Sequence, residues 1–335
     1  MRKTAAELYD NHGRQINYLR LAVTDRCNLR CFYCMPEEGI KYVPRRHLLR
    51  YEEMLRLISL LATMGISKLR ITGGEPFLRK EMMSFLRELT KVRGLEQIHI
   101  TTNGTLTAGL VPELKALGIR SVNLSLDSLD AERFRQITRR DQLDTVMETF
   151  RQLQAYDIPT KINMVVMAGR NTDDIIPMAE LSRHHAVGVR FIEEMPFNGE
   201  GGRPSEENWH HRQILATLQT AYPDLQKLPD PPFSTSANYQ VPGFKGQLGI
   251  IAAYSRTFCG TCNRIRITPK GLLKTCLYDD GIFNVKDLMR AGADDRALRM
   301  AFLEALSHRA KDGFEAERRR QFSRPISESM SSIGG

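Results

Sequence analysis

The chain has 335 residues, 41% of them hydrophobic, and a formal net charge of +9. That apolar share supports a sizeable core and excludes a disordered chain, and there is no run of about 18 or more apolar residues to suggest a membrane span. Lys and Arg are spread along the sequence except over 311–324, which reads as a solvated face; no RNP-like aromatic motif, helix-turn-helix or zinc finger accompanies them, so nucleic acid is not an expected partner.

Residues 1–10 lack the apolar core of a secretory leader, and a cytoplasmic location is expected. The first two hundred or so residues then alternate strand-like and helix-like segments. The strands are expected at 16–23, 68–72, 97–102, 121–126, 160–166 and 187–193, each short and rich in aliphatic or β-branched residues. Helical periodicity occupies 51–64, 80–90, 110–117, 143–156 and 172–185. Repeated strand-then-helix units predict a parallel sheet with right-handed crossovers. A full eight-fold barrel needs about 250 residues, so the expected α/β architecture is a partial (β/α)6 TIM-type barrel. Functional groups in such a sheet gather at the carboxyl ends of the strands. There the sequence places Gly73-Gly74-Glu75, Thr101-Thr102-Asn103, Ser125, Asp127 and Glu193-Glu194-Met195.

After Pro196 the texture changes. A Gly-rich loop over 198–202 leads to a helix near 209–222, and 228–232 reads as a linker. Short strands are expected near 247–254, 263–268 and 272–275, then helices over 285–290 and 296–309. The expected division is a barrel over 1–228 and a smaller C-terminal α+β region over 229–335.

All six cysteines fall in two triplets: Cys27, Cys31 and Cys34 as CxxxCxxC, and Cys259, Cys262 and Cys276. Structural zinc sites use four protein ligands. Two groups of three look instead like metal clusters with one position left open for a small molecule; zinc with a distant fourth ligand, or redox thiols, is the bland alternative. Thiolates at tight spacing hold iron–sulfur clusters. The first triplet lies just after the first expected strand, and Thr72-Gly73-Gly74-Glu75-Pro76 closes the second. Glycines there let a ligand approach the backbone, and the Glu75 carboxylate suits an ammonium group.

CxxxCxxC with Tyr33 before its last cysteine, followed by GGEP, resembles the radical S-adenosylmethionine superfamily. The string Phe258-Cys259-Gly260-Thr261-Cys262-Asn263-Arg264-Ile265-Arg266-Ile267-Thr268, followed by Lys274-Thr275-Cys276-Leu277, is similar to the GTP 3′,8-cyclase family within it. The likeness extends over essentially the whole chain; Glu194 departs from the aromatic or apolar residue expected there. It implies that Cys27, Cys31 and Cys34 hold one [4Fe-4S] cluster and Cys259, Cys262 and Cys276 a second. It further implies that Tyr33, Gly74, Glu75, Ser125 and Met195 meet S-adenosyl-L-methionine, and that Arg20, Lys68, Arg70, Thr101, Lys161, Arg190, Arg264 and Arg266 surround GTP. Arg20, Arg264 and Arg266 are also catalytic candidates, with Gly334 and Gly335 as a tail reaching into the site.

The implied reaction is the first step of molybdenum cofactor biosynthesis, conversion of GTP to 3′,8-cyclo-7,8-dihydro-GTP, with an external electron donor and a cyclic pyranopterin monophosphate synthase taking the product. A homodimer is compatible with the sequence. Guanidinium forks matching phosphate oxygens, and the alternation that puts Arg264 and Arg266 on one strand face, agree with that reading independently. A peptide-modifying radical enzyme would carry more cysteines after the barrel, and an iron–sulfur regulator of nucleic acid would carry a DNA-binding element.

Overall fold

The structure, a computed structural model, describes residues 7–198, 209–320 and 328–334. Its strands are β1 (Tyr18–Ala22), β2 (Lys68–Thr72), β3 (Gln97–Thr102), β4 (Ser121–Ser125), β5 (Thr160–Val166), β6 (Gly188–Glu193), β7 (Gln226–Lys227), β8 (Ala237–Gln240), β9 (Gln247–Ile251), β10 (Arg264–Ile267) and β11 (Leu273–Lys274). The helices are α1 (Tyr51–Thr63), α2 (Met82–Leu89), α3 (Val111–Ala116), α4 (Ala131–Thr138), α5 (Leu143–Ala155), α6 (Ile175–His184), α7 (His211–Ala221), α8 (Val285–Arg290), α9 (Asp295–Ser307), α10 (Gly313–Arg318) and α11 (Met330–Ile333).

All strands lie in one sheet of order β11-β10-β1-β2-β3-β4-β5-β6-β9-β8-β7. The six expected barrel strands run side by side and parallel. The strands beyond residue 228 do not build a sheet of their own: β10 adds in parallel to β1 and β9 in parallel to β6. The stretch expected as a linker, 228–232, is instead the connection of the β7–β8 hairpin, where Asp230 accepts from the Asn238 backbone N–H at 2.8 Å. The expected strand at 247–254 stops at Ile251, because Ala253 N–H turns back to the Ile251 carbonyl. The helix expected from 209 begins at His211, capped by His210 and Gln213. Gly199 to Gly202 of the expected loop lie outside the described residues.

Side-chain alternation divides the sheet into two faces. Leu19, Leu21, Leu69, Ile71, Ile100, Val122, Leu124, Ile162, Met164, Val189, Phe191, Ile265 and Ile267 are buried in the apolar layers under the helices. The helices answer with matching stripes: α1 buries Met54, Leu57, Ile58 and Leu61, and Glu53 returns its carboxylate to the Arg50 N–H to close the first turn. The opposite face carries Tyr18, Arg20, Lys68, Arg70, His99, Asn123, Lys161, Asn163, Arg190, Arg264 and Arg266, the residues alternating with that apolar set. A packed barrel interior is filled with branched apolar side chains; the inner face here carries polar and charged side chains instead.

The sheet curls around that face. Six strand spacings of about 4.8 Å would put β6 about 29 Å from β10 in a flat sheet. Arg190 on β6 nevertheless feels the charges of Arg70 on β2 and Arg264 on β10. Arg264 Nη2 also donates to the Phe233 carbonyl at 3.1 Å, in the segment leading to β8 at the far edge.

Candidate active site

The first triplet sits in the loop that leaves β1. Cys34 N–H and Met35 N–H both return to the Cys31 carbonyl, at 2.9 and 3.0 Å, so the last two cysteines share one tight turn. The loop is pinned from outside by α4, which sequence periodicity missed: Arg30 and Phe32 N–H donate to the carbonyls of Thr138 and Ile137.

It is pinned from inside by the Gly73-Gly74 segment. Gly74 N–H donates to the Thr24 carbonyl at 2.9 Å, and Glu75 N–H to the Arg26 carbonyl at 2.8 Å. A Cβ on Gly74 would stand 2.2 Å from the Arg26 carbonyl oxygen, and one on Gly73 2.5 Å from that of Thr24. Two bare backbones meet here, which is why the sequence must read Gly-Gly.

The Glu75 carboxylate is fully buried and accepts from Thr102 Oγ1 (2.9 Å), Asn103 N–H (2.7 Å) and Phe77 N–H (3.2 Å). It ties the end of β2 to the end of β3, and burial raises it to about 7 against those hydrogen bonds. Asn103 then passes the order on, donating through Nδ2 to Asn28 Oδ1 at 2.9 Å and to Cys27 Sγ at 3.6 Å. Tyr33 OH donates to Asp127 Oδ2 at 2.8 Å, while Asp127 Oδ1 accepts from Val165 N–H at 2.9 Å. Burial lifts Asp127 to about 6. Ser125 ends β4 opposite Asn163, and Met195 packs beside Phe197, Tyr278 and Ile333. Glu194 is half-buried, its pKa raised by burial and eased by the charge of Arg170.

The second triplet spans the turn before β10 and the end of β11. Cys262 N–H donates to the Cys259 carbonyl at 3.2 Å, and Asp279 Oδ2 gathers the N–H groups of Thr275 and Cys276, each at 2.8 Å. Cys262 and Cys276 bear electrostatically on Arg266, so this triplet borders the polar inner face.

Between the triplets lies a concentration of positive charge. Arg20 is in register with Arg266 on one side and Arg70 on the other, and Tyr18 with Arg264 and Lys68. Lys161 and Arg190 line β5 and β6, and Thr101 stands in register with Asn123, itself opposite Lys161. Among the described residues none of Arg20, Lys68, Arg70, Lys161, Arg190, Arg264 and Arg266 makes an ion pair with a carboxylate.

The strain shows in their protonation. Burial, with Arg190 and Arg70 nearby, pushes Lys161 down to about 7; burial with Arg70 and Arg264 brings Arg190 to about 10. Burial alone would raise Tyr18, but Arg70, Arg20 and Arg264 bring it to about 7, and Arg70 Nε donates to its oxygen at 2.6 Å. Buried polar atoms left without a partner on this face are Arg20 Nε, Arg264 Nε, Asn123 Oδ1 and Asn163 Oδ1. Buried polar groups are normally satisfied; the two arginine N–H donors among unpaired cations fit an anionic group, and the two amide oxygens fit N–H or O–H donors on the same ligand.

The C-terminal tail reaches the same inner face. Ser329 Oγ donates to the Cys34 carbonyl at 2.7 Å, α11 follows, and Gly334 accepts from Arg266 Nη1 at 2.9 Å. Gly335 lies outside the described residues.

The donor sets fit iron–sulfur clusters in chemistry. All six cysteines are free, and each triplet is close enough for its thiols to feel one another. Burial pushes Cys27 up to about 11 and Cys34 to about 12 as thiols, so these groups ionise only against a cation. Among the described residues no three His, Cys, Asp or Glu side chains form a group that could hold a single metal ion. Sequence reasoning marked the cysteines and cations; it missed Tyr18 as a member of the cavity, Asn103 as a partner of Cys27, and the Asp10, Arg14 and Arg309 group described below. No helix among the described residues is long and apolar enough to cross a membrane.

The cysteine loop docked on Gly-Gly at the head of a parallel sheet defines a radical S-adenosylmethionine protein, and the Radical SAM superfamily model matches residues 21–182. The Molybdenum Cofactor Synthesis C model matches 187–314. The chain is 39% identical to the GTP 3′,8-cyclase of Moorella thermoacetica over 340 residues, covering 98% of this chain and 100% of that one. It therefore belongs to the GTP 3′,8-cyclase family. It is also 41% identical over 295 residues to Molybdenum cofactor biosynthesis protein 1 of Homo sapiens, covering 88% of this chain and 46% of that protein. The chain thus spans about half the length of the human, bovine and murine relatives. Among solved structures, Streptococcus suis SuiB bound to S-adenosylmethionine shares the fold, with a TM-score of 0.60 at 14% identity over 85% of this chain and 67% of that one.

Proposed function

We propose that the chain is a GTP 3′,8-cyclase acting in molybdenum cofactor biosynthesis, with S-adenosyl-L-methionine at the first triplet and GTP between the two triplets. The observation that carries this reading is the row of unpaired cations on the inner sheet face, flanked by a cysteine triplet at either end. Cys27, Cys31 and Cys34 would hold one four-iron cluster, and Cys259, Cys262 and Cys276 a second. With both clusters and S-adenosylmethionine bound, the chemistry supplied would be a 5′-deoxyadenosyl radical able to remove the 3′ hydrogen of GTP; joining C3′ to C8 would then take up one electron, from the external donor, and one proton.

The chain's own part is binding, orientation and exclusion. Arg20, Arg70, Arg190, Arg264 and Arg266, with Lys68 and Lys161, neutralise the triphosphate, and Thr101 offers a neutral hydrogen bond. Tyr33, fixed by Asp127, and Gly74, which keeps the backbone bare for the methionine amino group, would contact the cofactor together with Ser125 and Met195. Glu75 acts in this reading by fixing the loop, its carboxylate already being engaged by three protein donors. The tail up to Gly334 covers this face, so that a primary radical meets the ribose rather than solvent.

In this reading residues 1–228 form the radical-generating part and 229–335 the part that presents the second cluster and the tail. An external electron donor, a cytoplasmic location, transfer of the product to a cyclic pyranopterin monophosphate synthase, and a homodimer are compatible with the same reading. Anaerobic incubation of the reconstituted chain with GTP, S-adenosylmethionine and a strong reductant tests it. 5′-Deoxyadenosine with a cyclised GTP is expected; 5′-deoxyadenosine with unchanged GTP would reject the substrate.

A further inference from the structure

Beside the second triplet lies a buried charged group that the proposed reaction does not use. Asp10 has no exposed side-chain surface and holds two guanidinium groups on the same oxygen: Arg14 Nε at 2.7 Å and Arg309 Nη1 at 3.0 Å, themselves 8% and 3% exposed. Asp10 Oδ1 is taken by the N–H groups of His12 and Arg14, at 2.9 and 3.0 Å.

The two arginines spend their remaining donors on the cysteine segments. Arg309 donates through Nε to the Thr275 carbonyl next to Cys276 (3.0 Å), and through Nη1 to the Cys262 carbonyl (3.0 Å). Its Nη2 reaches the Arg264 carbonyl at 3.0 Å and Cys262 Sγ at 3.3 Å. Arg14 Nη1 donates to the carbonyls of Cys259 (3.1 Å) and Lys311 (2.6 Å), and Nη2 to that of Ala310 (2.9 Å). The pair therefore touches the backbone at or beside all three cysteines, from chain positions as distant as 14 and 309.

One carboxylate cannot cancel two guanidinium charges, so the group carries net positive charge against the sulfur side of the site. Burying an uncompensated charge is costly. Besides the backbone carbonyls it satisfies, Arg309 turns one donor directly on a cysteine sulfur. Hydrogen bonds to cluster sulfurs and local net charge are among the levers that set an iron–sulfur potential. Removing a donor and a positive charge disfavours the reduced, more negative cluster.

We propose that Asp10, Arg14 and Arg309 form a positioning triad that holds the second triplet in shape and raises the reduction potential of the cluster bound there. This rests on the reading of Cys259, Cys262 and Cys276 as cluster ligands. Arg309 and Asp10 touch neither substrate nor cofactor; they act through Cys262 and its neighbours.

The two ends of the triad give opposite signs, which a merely structural role would not. The full-length chain is reconstituted anaerobically in a background where Cys27, Cys31 and Cys34 are alanine, so that only the second site carries iron, and titrated by EPR. R309Q is expected to move the midpoint to more negative potential, and D10N, which leaves both guanidiniums uncompensated, to more positive potential. Unchanged midpoints, or shifts of the same sign in both variants, would overturn the proposal. Should one variant fail to hold iron, the sign in the other decides. A background chain that binds no iron–sulfur cluster, with or without Cys259, would instead reject the cluster reading on which the proposal stands.

Discussion

The carbonyl of Gly334 accepts a hydrogen bond from Arg266 Nη1 at 2.9 Å, joining the end of the described chain to the strand that follows the second cysteine pair. The same tail is held at two earlier points: Glu328 pairs with the fully buried Lys274 at 2.7 Å, and Ser329 Oγ donates to the Cys34 carbonyl at 2.7 Å. One short segment thus spans from the first triplet to the cations. Gly334 sits at φ +80°, and a Cβ there would stand 2.6 Å from Thr72 Oγ1 and 2.9 Å from Ala22 Cβ. Gly334→Ala is expected to displace the tail and lower cyclised product strongly at unchanged iron content. Wild-type turnover in that variant would leave the tail without a role in the reaction.

The two triplets separate under mutation. Cys31→Ser is expected to abolish 5′-deoxyadenosine formation altogether. Arg266→Ala should retain both clusters by iron and sulfide analysis and lose GTP conversion by about one to two orders of magnitude, since charge-assisted contacts to phosphate contribute about 1.5–3 kcal/mol each. Normal cyclisation in Arg266→Ala would remove that residue from the substrate site.

Proton uptake reports the unpaired cations. Lys161 stands at about 7 and Tyr18 at about 7 in the ligand-free chain. A bound polyanion favours the protonated form of each. Above pH 7 these groups are increasingly deprotonated in the free protein, so GTP binding at pH 8 should take up protons and affinity should fall as pH rises. Calorimetry in buffers of different ionisation enthalpy measures the uptake, and Lys161→Met should reduce it. Equal uptake in both proteins would contradict the assignment of Lys161 to the triphosphate.

Tyr33→Phe tests the bond to Asp127. Asp127 has a folded pKa of about 6, above its ordinary value of 3.8, because burial outweighs its hydrogen bonds. A raised carboxyl stabilises the fold fully below the unfolded value and loses that contribution as pH rises through the folded one. Removing the Tyr33 donor leaves a buried oxygen unsatisfied, at a cost of about 1–3 kcal/mol. It also removes a hydrogen bond that favours the ionised form. Denaturant unfolding of the metal-free chain should therefore show a larger loss for Tyr33→Phe at pH 8 than at pH 5.

Much of this was legible in sequence because the signals were local. The bounds 68–72, 97–102 and 160–166 follow from short β-branched runs, and the structure reproduces them as β2, β3 and β5. The cysteine triplets and Gly-Gly announce themselves by spacing. The joining of β9 and β10 to the barrel sheet was not legible, since a strand of four or five residues gives no clue to its neighbour across the fold. Likewise α4, whose mean apolarity is low, holds the cysteine loop through backbone carbonyls that carry no side-chain signature. Asp10 and Arg309 are nearly 300 residues apart, and only the fold brings them into contact beside Cys262.

The most direct measurement uses GTP carrying deuterium at C3′, incubated anaerobically with the reconstituted chain, S-adenosylmethionine and reductant, with mass spectrometry of the recovered 5′-deoxyadenosine. Deuterium in 5′-deoxyadenosine alongside a cyclised GTP product is the expected result. Unlabelled 5′-deoxyadenosine with intact GTP would contradict the placement of GTP between the two triplets.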